Sequence, residues 1–121
     1  MIVYIYISVM LVAVVSGQLI LKYGLSKLGE MPTGIDDGAA FLLKALLNPL
    51  VILSLALAFV GALAWIAAVS KVELSFAYPF TSLGYILVLL LSSLILKEQI
   101  PAMRWIGVLI IGIGVLIVSR S

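Results

Sequence analysis

The stretch Ile2–Lys22, IVYIYISVMLVAVVSGQLILK, contains no charged residue before its last position. A helix needs about 20 apolar residues to cross about 30 Å of hydrocarbon, so this stretch is long enough to span a bilayer. Because lipid offers no hydrogen-bonding partner to the backbone, the span is expected to be helical. It lacks the basic start and the small-residue cleavage site of a secretory signal, so we expect a permanent membrane span.

Three further stretches of the chain are apolar and long enough to cross a membrane. They cover residues 50–70, 74–96 and 102–118, while the first span covers 2–22 with a possible extension to Leu28. The last two links between spans are very short, which forces the helices that they join to be antiparallel. The sequence therefore predicts an all-α membrane protein, with one four-transmembrane-helix bundle over residues 1–121.

The composition excludes several classes of function. The chain is 65% hydrophobic and only 10% charged, whereas soluble domains are about half apolar and a quarter charged. It has no cysteine or histidine, which excludes disulfides, thiol nucleophiles and Cys/His metal sites. The acidic residues of the first loop, Glu30, Asp36 and Asp37, are interpreted as solvated charges and not as metal ligands. No basic run suggests nucleic acid, no serine is accompanied by a base, and we predict neither an enzyme nor a cofactor.

The first link, about residues 23–48, is the longest of the three. Asp36 and Asp37 favour a helix N-terminus. The apolar residues that follow can share one helical face, and they are Ile35, Leu42, Leu43, Leu46 and Leu47. This pattern predicts a short helix over residues 35–47 at the membrane interface, with an irregular loop as the alternative.

The distribution of basic residues favours one orientation by a small margin. The loops after the first and third spans carry more lysine and arginine than the opposite side does, where only Lys71 and Arg120 lie. The positive-inside rule would place the first group in the cytoplasm and both termini outside. The margin shrinks if Lys22 faces a cavity and not the interface.

A row of side chains becomes polar toward the end of the first span. Residues three, four and seven apart share a helical face, and such a row contains Ser8, Leu11, Val15, Gln18 and Lys22. Lys22 either extends to the lipid headgroups or faces a polar site. Gln18 lies one turn deeper, where an amide is not explained by extension to the headgroups. This residue favours a polar pocket.

The third span contains a second group of polar residues. Pro79 removes the hydrogen bond to the carbonyl of Ser75, so a mild kink is expected there. Tyr78, Ser82 and Tyr85 are spaced i, i+4 and i+7, which would place three hydroxyls on one cavity wall. An interfacial aromatic belt is the alternative for the tyrosines. Trp65 in the second span is a further candidate for the cavity, with simple packing as its alternative.

The fourth span carries Gly107, Ile111 and Gly114 at the same i, i+4, i+7 spacing. Glycine allows the backbones of two helices to approach closely. We therefore predict a helix-packing or dimer seam on this face.

Several motifs together resemble one known superfamily. They are SGQLILK (16–22), LALAFVGALAW (55–65), AYPFTSL (77–83), Leu96–Glu98 and WIGVLIIGIGVLI (105–117). With four spans, they make the chain similar to the four-helix branch of the drug/metabolite transporter superfamily. The likeness is closest to the flippase subunits for undecaprenyl-phosphate-linked aminoarabinose. Through YIY (4–6), Gly17 and Lys22 it also resembles, more distantly, the small multidrug-resistance exporters.

Two departures separate the chain from the exporters. Their helix-one glutamate, which binds protons and cationic drugs, aligns with Val14, and Thr81 stands where they have a tryptophan in helix three. Proton-for-drug exchange is therefore not expected. Gln18 and Lys22 suit an anionic ligand instead.

The resemblance implies translocation of a polyprenyl-phosphate-linked sugar, or a related lipid-phosphate, across the cytoplasmic membrane of a bacterium or archaeon. On this interpretation Lys22 contacts the phosphate beside Gln18, and Trp65 stacks on the sugar. Tyr78, Ser82 and Tyr85 would hydrogen-bond the headgroup. We expect membrane lipids as surroundings and a homodimer or heterodimer, because four helices enclose little room. The alternatives are an exporter of hydrophobic cations and a non-transporting partner subunit.

Overall fold

A computed structural model describes all 121 residues. The helices are α1 (Ile2–Ser26), α2 (Ile35–Leu47), α3 (Pro49–Val69), α4 (Leu74–Ala77), α5 (Ser82–Leu94) and α6 (Ala102–Ser119), with a 3₁₀ turn at Tyr78–Thr81. Four segments are long and apolar enough to cross a membrane, and they are α1, Leu74–Leu94, α3 and α6. The predicted all-α four-span architecture is confirmed.

The third span is not one continuous α-helix from residue 74 to 96. Pro79 lies inside the 3₁₀ turn that separates α4 from α5, because its nitrogen has no hydrogen to donate to the turn before it. The helix ends at Leu94, earlier than the sequence predicts. Lys97 then adopts a φ of +57°, which reverses the chain toward α6. The expected mild kink is thus a local change of helix type.

The boundaries of α3 follow from its first residues. The side chain of Asn48 accepts a hydrogen bond from the N–H of Leu50 at 2.9 Å and so caps the helix. Pro49 occupies the first turn, where a missing N–H costs nothing. At the start of α6, Pro101 is the N-cap residue and the helix begins after it.

Helix α1 forms the centre of the bundle and packs most extensively against α3. The two backbones approach closely at two glycines. A Cβ atom built on Gly17 would lie 3.1 Å from the carbonyl oxygen of Ser54, and one built on Gly61 would lie 2.7 Å from Cγ2 of Val14. A side chain at Gly17 would therefore require the backbone at Ser54 to shift, and one at Gly61 would collide with the side chain of Val14.

The hydrophobic core lies toward the end of the bundle that carries both chain termini. Its buried residues come from the first half of α1, the second halves of α3 and α6, and the start of the third span, and they are Ile7, Met10, Leu11, Ala64, Ala68, Phe80 and Val115. Phe80 contacts the ring of Tyr4 edge-on at 5.9 Å. This end of the bundle is closed by packed side chains.

Most apolar side chains point away from the bundle. Only 20 of the 121 residues are buried, and α6 has the smallest buried share of the four spans. Such an apolar exterior is compatible with lipid as the surrounding solvent and not with water.

Helix α2 covers the residues for which the sequence predicts a short helix. Asp36 and Asp37 lie in its first turn and Lys44 in its last turn, so their charges complement the helix dipole. Its isoleucine and leucine side chains are exposed, including Ile35 and Leu47, whereas Ala45 is buried. The position of α2 at the membrane interface stays a prediction.

Candidate functional site

A cavity of about 680 Å³ lies between α1, α5 and the start of α6. It is an open groove, and its charged end is formed by the turn between α5 and α6. Its walls are lined by Val14, Val15, Gln18, Thr81, Ser82, Gly84, Tyr85, Val88, Leu89, Ser92, Glu98, Ile100, Arg104 and Ile111. The bundle is therefore packed near its termini and hollow toward the opposite end.

Three of the predicted site residues meet in this cavity. Gln18 enters from α1, while Ser82 and Tyr85 enter from α5. None of these side chains makes a hydrogen bond within the chain. Their amide and hydroxyl groups are therefore available to a ligand or to water.

Two other cavity hydroxyls are already occupied. The hydroxyl of Thr81 donates to the carbonyl oxygen of Tyr78 at 2.6 Å. That of Ser92, which is buried, donates to the carbonyl oxygen of Leu89 at 3.2 Å. These bonds to the preceding helical turn satisfy the hydroxyl donors locally.

The cavity also holds two charged residues that the sequence analysis did not select. Glu98 lies in the turn after α5, and Arg104 lies in the first turn of α6. Neither side chain forms a hydrogen bond with another protein group, so they are not paired with each other. In the sequence both resemble ordinary charges at helix ends. Only the fold of the turn indicates that they face a site.

Three other predicted residues do not line the cavity. Lys22 is exposed on α1, one turn beyond Gln18. Tyr78 and Trp65 pack against each other edge to face, with ring centroids 5.9 Å apart. The 3₁₀ turn explains the displacement of Tyr78, because it rotates the chain by about 120° per residue where an α-helix rotates it by about 100°. Tyr78 therefore leaves the stripe that Ser82 and Tyr85 share.

Val14 lies on the cavity wall at the position where the small multidrug-resistance exporters have their glutamate. This part of the wall is apolar and carries no ionisable group. The residue that replaces the exporters' glutamate, Val14, therefore lies inside the cavity itself.

The two glycines of the predicted seam on α6 are not packed within the chain, whereas Ile111 packs against the core cluster. No atom lies within 4 Å of a Cβ built on Gly107 or Gly114. Ile111 also lines the cavity. An intermolecular seam at these residues stays a prediction.

Comparison with known proteins gives a consistent set of relatives. A model of the EamA-like transporter family matches residues 5–120. A probable 4-amino-4-deoxy-L-arabinose-phosphoundecaprenol flippase subunit ArnE of Pseudomonas savastanoi pv. phaseolicola is 27% identical over 105 residues, which are 87% of this chain and 86% of the relative.

Two further relatives with the same protein name come from Aeromonas. That of Aeromonas hydrophila subsp. hydrophila is 40% identical over 76 residues, or 63% of this chain and 67% of the relative. That of Aeromonas salmonicida is 38% identical over the same shares of both chains. No solved structure matches the chain.

Proposed function

Because the chain belongs to the EamA-like transporter family, we propose that it translocates a polyprenyl-phosphate-linked sugar across the bacterial inner membrane. The substrate class comes from the names of its relatives, which describe flippase subunits for an amino-arabinose linked to undecaprenol through phosphate. The four apolar spans make the chain a multi-pass membrane protein. Its role is transport and not catalysis.

The size and shape of the cavity support a headgroup as the ligand. Pockets for small molecules usually enclose about 300–1,000 Å³, and the volume of about 680 Å³ falls in this range. A polyprenyl tail is too long for such a space. Since the groove is open, the tail can remain in lipid while the sugar and phosphate occupy the cavity.

The single observation that carries the proposal is the presence of Arg104 in one cavity with unpaired Gln18, Ser82 and Tyr85. A guanidinium group binds phosphate through two parallel hydrogen bonds. The amide and the two hydroxyls offer both donors and acceptors, as the hydroxyls of a sugar require. Together these groups form a binding surface for a sugar phosphate.

Lys22 keeps its proposed role as a second cation for the phosphate. It follows Gln18 by four residues and shares its helical face, and this spacing supports a position near the edge of the groove. Trp65 and Tyr78 pack against each other and do not line the cavity. We therefore assign them a smaller part in binding than the residues that line the cavity.

We also propose that the transporter works as a dimer, either of two copies or with a similar small subunit. The relatives are named as subunits. The uncovered Gly107 and Gly114 on α6 offer a face on which a second helix can approach closely. Gly114→Leu is expected to weaken this association while leaving the fold of the chain intact.

Translocation can be measured in vesicles that contain the full chain, alone or with any small subunit that co-purifies. The lipid is a polyprenyl phosphate carrying a pentose, and membrane-impermeant periodate oxidises only sugars in the outer leaflet. The proposal expects the protein to move inner-leaflet lipid into the oxidisable pool. Transport of hydrophobic cations without lipid movement would favour the exporter, and activity that needs only the second subunit would favour a non-transporting role.

A further inference from the structure

Glu98 is the only acidic side chain that lines the cavity. The other four acidic residues, Glu30, Asp36, Asp37 and Glu73, lie elsewhere in the chain. A carboxylate has no favourable role beside a purely anionic headgroup, because it repels phosphate. Its presence in one cavity with groups that suit phosphate therefore requires an explanation of its own.

The backbone around Glu98 is held in an unusual conformation. Lys97 has a φ of +57°, which L-amino acids other than asparagine and aspartate rarely adopt. This conformation lets the N–H of Glu98 return to the carbonyl oxygen of Ser92 at 3.2 Å. Ser92 is buried and lies on the cavity wall. The turn thus holds the backbone of Glu98 beside the cavity, while its side chain stays exposed and unpaired.

The two charges of the cavity are opposite in sign and unpaired. A cation alone would be attracted by Glu98 but repelled by Arg104. An anion alone would be attracted by Arg104 but repelled by Glu98. A headgroup that carries one positive and one negative group can satisfy both. The amine of a 4-amino-4-deoxy sugar is an ammonium near neutral pH, and its phosphodiester is an anion.

We infer that Glu98 and Arg104 together select a zwitterionic headgroup, with Glu98 bound to the ammonium of an amino sugar and Arg104 bound to the phosphate. This inference rests on the proposed function, and it assigns the selection of the amino sugar that the relatives' names contain to Glu98 and Arg104. Polyprenyl phosphates with neutral sugars would bind more weakly, because they leave the carboxylate of Glu98 without a partner beside an anion.

The test compares two lipids that differ in one group. One is a polyprenyl phosphate carrying a 4-amino-4-deoxy pentose, and the other has a hydroxyl in place of the amine. We expect the protein to bind the amino lipid more tightly by about tenfold. Glu98→Gln is expected to abolish this preference. It should bind the hydroxyl lipid at least as tightly as the unmodified protein does, because no carboxylate then repels the phosphate, and this binding also shows that the variant is folded.

Glu73→Gln is the matched control, because Glu73 is a carboxylate at a helix end outside the cavity. This variant should retain the preference for the amino lipid. Equal binding of both lipids by the unmodified protein, or an unchanged preference in Glu98→Gln, would overturn the inference while leaving the proposed function standing. Binding of neither lipid would overturn both.

Discussion

Arg104 differs from the other basic residues of the chain because it is the one that lines the cavity. Lys27, by contrast, lies over the ring of Tyr23, with its Nζ atom 4.8 Å from the ring centroid. Lys22 is exposed and does not line the cavity. The phosphate of a substrate in the cavity would therefore depend more on Arg104 than on Lys22.

Replacing Arg104 should reduce translocation without unfolding the protein. Arg104→Gln removes the group that binds phosphate, and a hydrogen bond to a charged group contributes about 1.5–3 kcal/mol, which corresponds to a loss of about tenfold or more. Lys22→Gln should have a smaller effect. The periodate assay measures both, with Arg120→Gln at the far end of α6 as the control.

An equal loss in Arg104→Gln and Arg120→Gln would indicate a general effect of charge and contradict the assigned role. A larger loss in Lys22→Gln than in Arg104→Gln would move the phosphate site out of the cavity and toward the edge of the groove.

Lys97 is the residue whose backbone positions Glu98. A left-handed conformation costs about 1–2 kcal/mol in residues other than glycine, and β-branched residues tolerate it least. We expect Lys97→Val to lower the melting temperature in detergent and to weaken binding of the amino lipid. Lys97→Gly should preserve both properties, because glycine adopts this φ without strain. Similar melting temperatures for the two variants would contradict this account of the turn.

At the scale of helices, the close contact between α1 and α3 depends on Gly17. Its nearest neighbour is a backbone oxygen, 3.1 Å from a built Cβ, and a backbone moves less readily than a side chain. Gly17→Val should therefore destabilise the protein by about 1–3 kcal/mol, as overpacking usually does. Gly112→Val is the control, since the one atom within 4 Å of a Cβ built there is a side-chain carbon of Ile86 at 3.5 Å, and Gly112 lies outside the proposed seam. Unfolding in mild detergent compares the two, and equal losses would contradict the predicted role of the contact.

The helix boundaries and the interior of the site differ in how well the sequence predicts them. Apolar length alone predicts the four spans, and the Asn48-Pro49 pair marks the start of α3 correctly. The spacing of Tyr78, Ser82 and Tyr85 assumes one unbroken α-helix. The 3₁₀ turn at Pro79 breaks that assumption, so only two of the three residues line the cavity. The sequence marks a kink at Pro79, but its periodicity does not show that the kink changes the helix type.

The sequence does not predict the two charged residues of the cavity, and the reason is different. Glu98 and Arg104 stand at helix ends, where charges normally contact headgroups and solvent. Whether such a charge faces outward or inward depends on the backbone of the turn, in particular on the φ of Lys97. Gln18 was recognisable because an amide inside an apolar span has no ordinary explanation.

At the scale of the whole molecule, the bundle is closed at one end and open at the other. The core cluster closes the end with the termini, and the cavity reaches the turn between α5 and α6. The positive-inside rule predicts that this turn is cytoplasmic. On that orientation the structure is an inward-facing state, and alternating access would require the packing around Phe80 to open.

Because the chain has no cysteine, the accessible side can be mapped with single introduced thiols. We expect Ser82→Cys to react with a membrane-impermeant thiol reagent from the cytoplasmic face. Ala64→Cys, in the closed core, should remain unreactive from both faces. Reaction of Ser82→Cys from the outer face alone would contradict the predicted orientation or the inward-facing state.

The central claim is that the cavity between α1, α5 and α6 binds the headgroup of a polyprenyl-phosphate-linked sugar. Native mass spectrometry of the protein purified in mild detergent tests this most directly, because it weighs the lipid that remains bound. We predict the added mass of such a lipid on the unmodified protein and its loss in Arg104→Gln. Unmodified protein that retains no lipid of this class, or equal retention by Arg104→Gln, would contradict the claim.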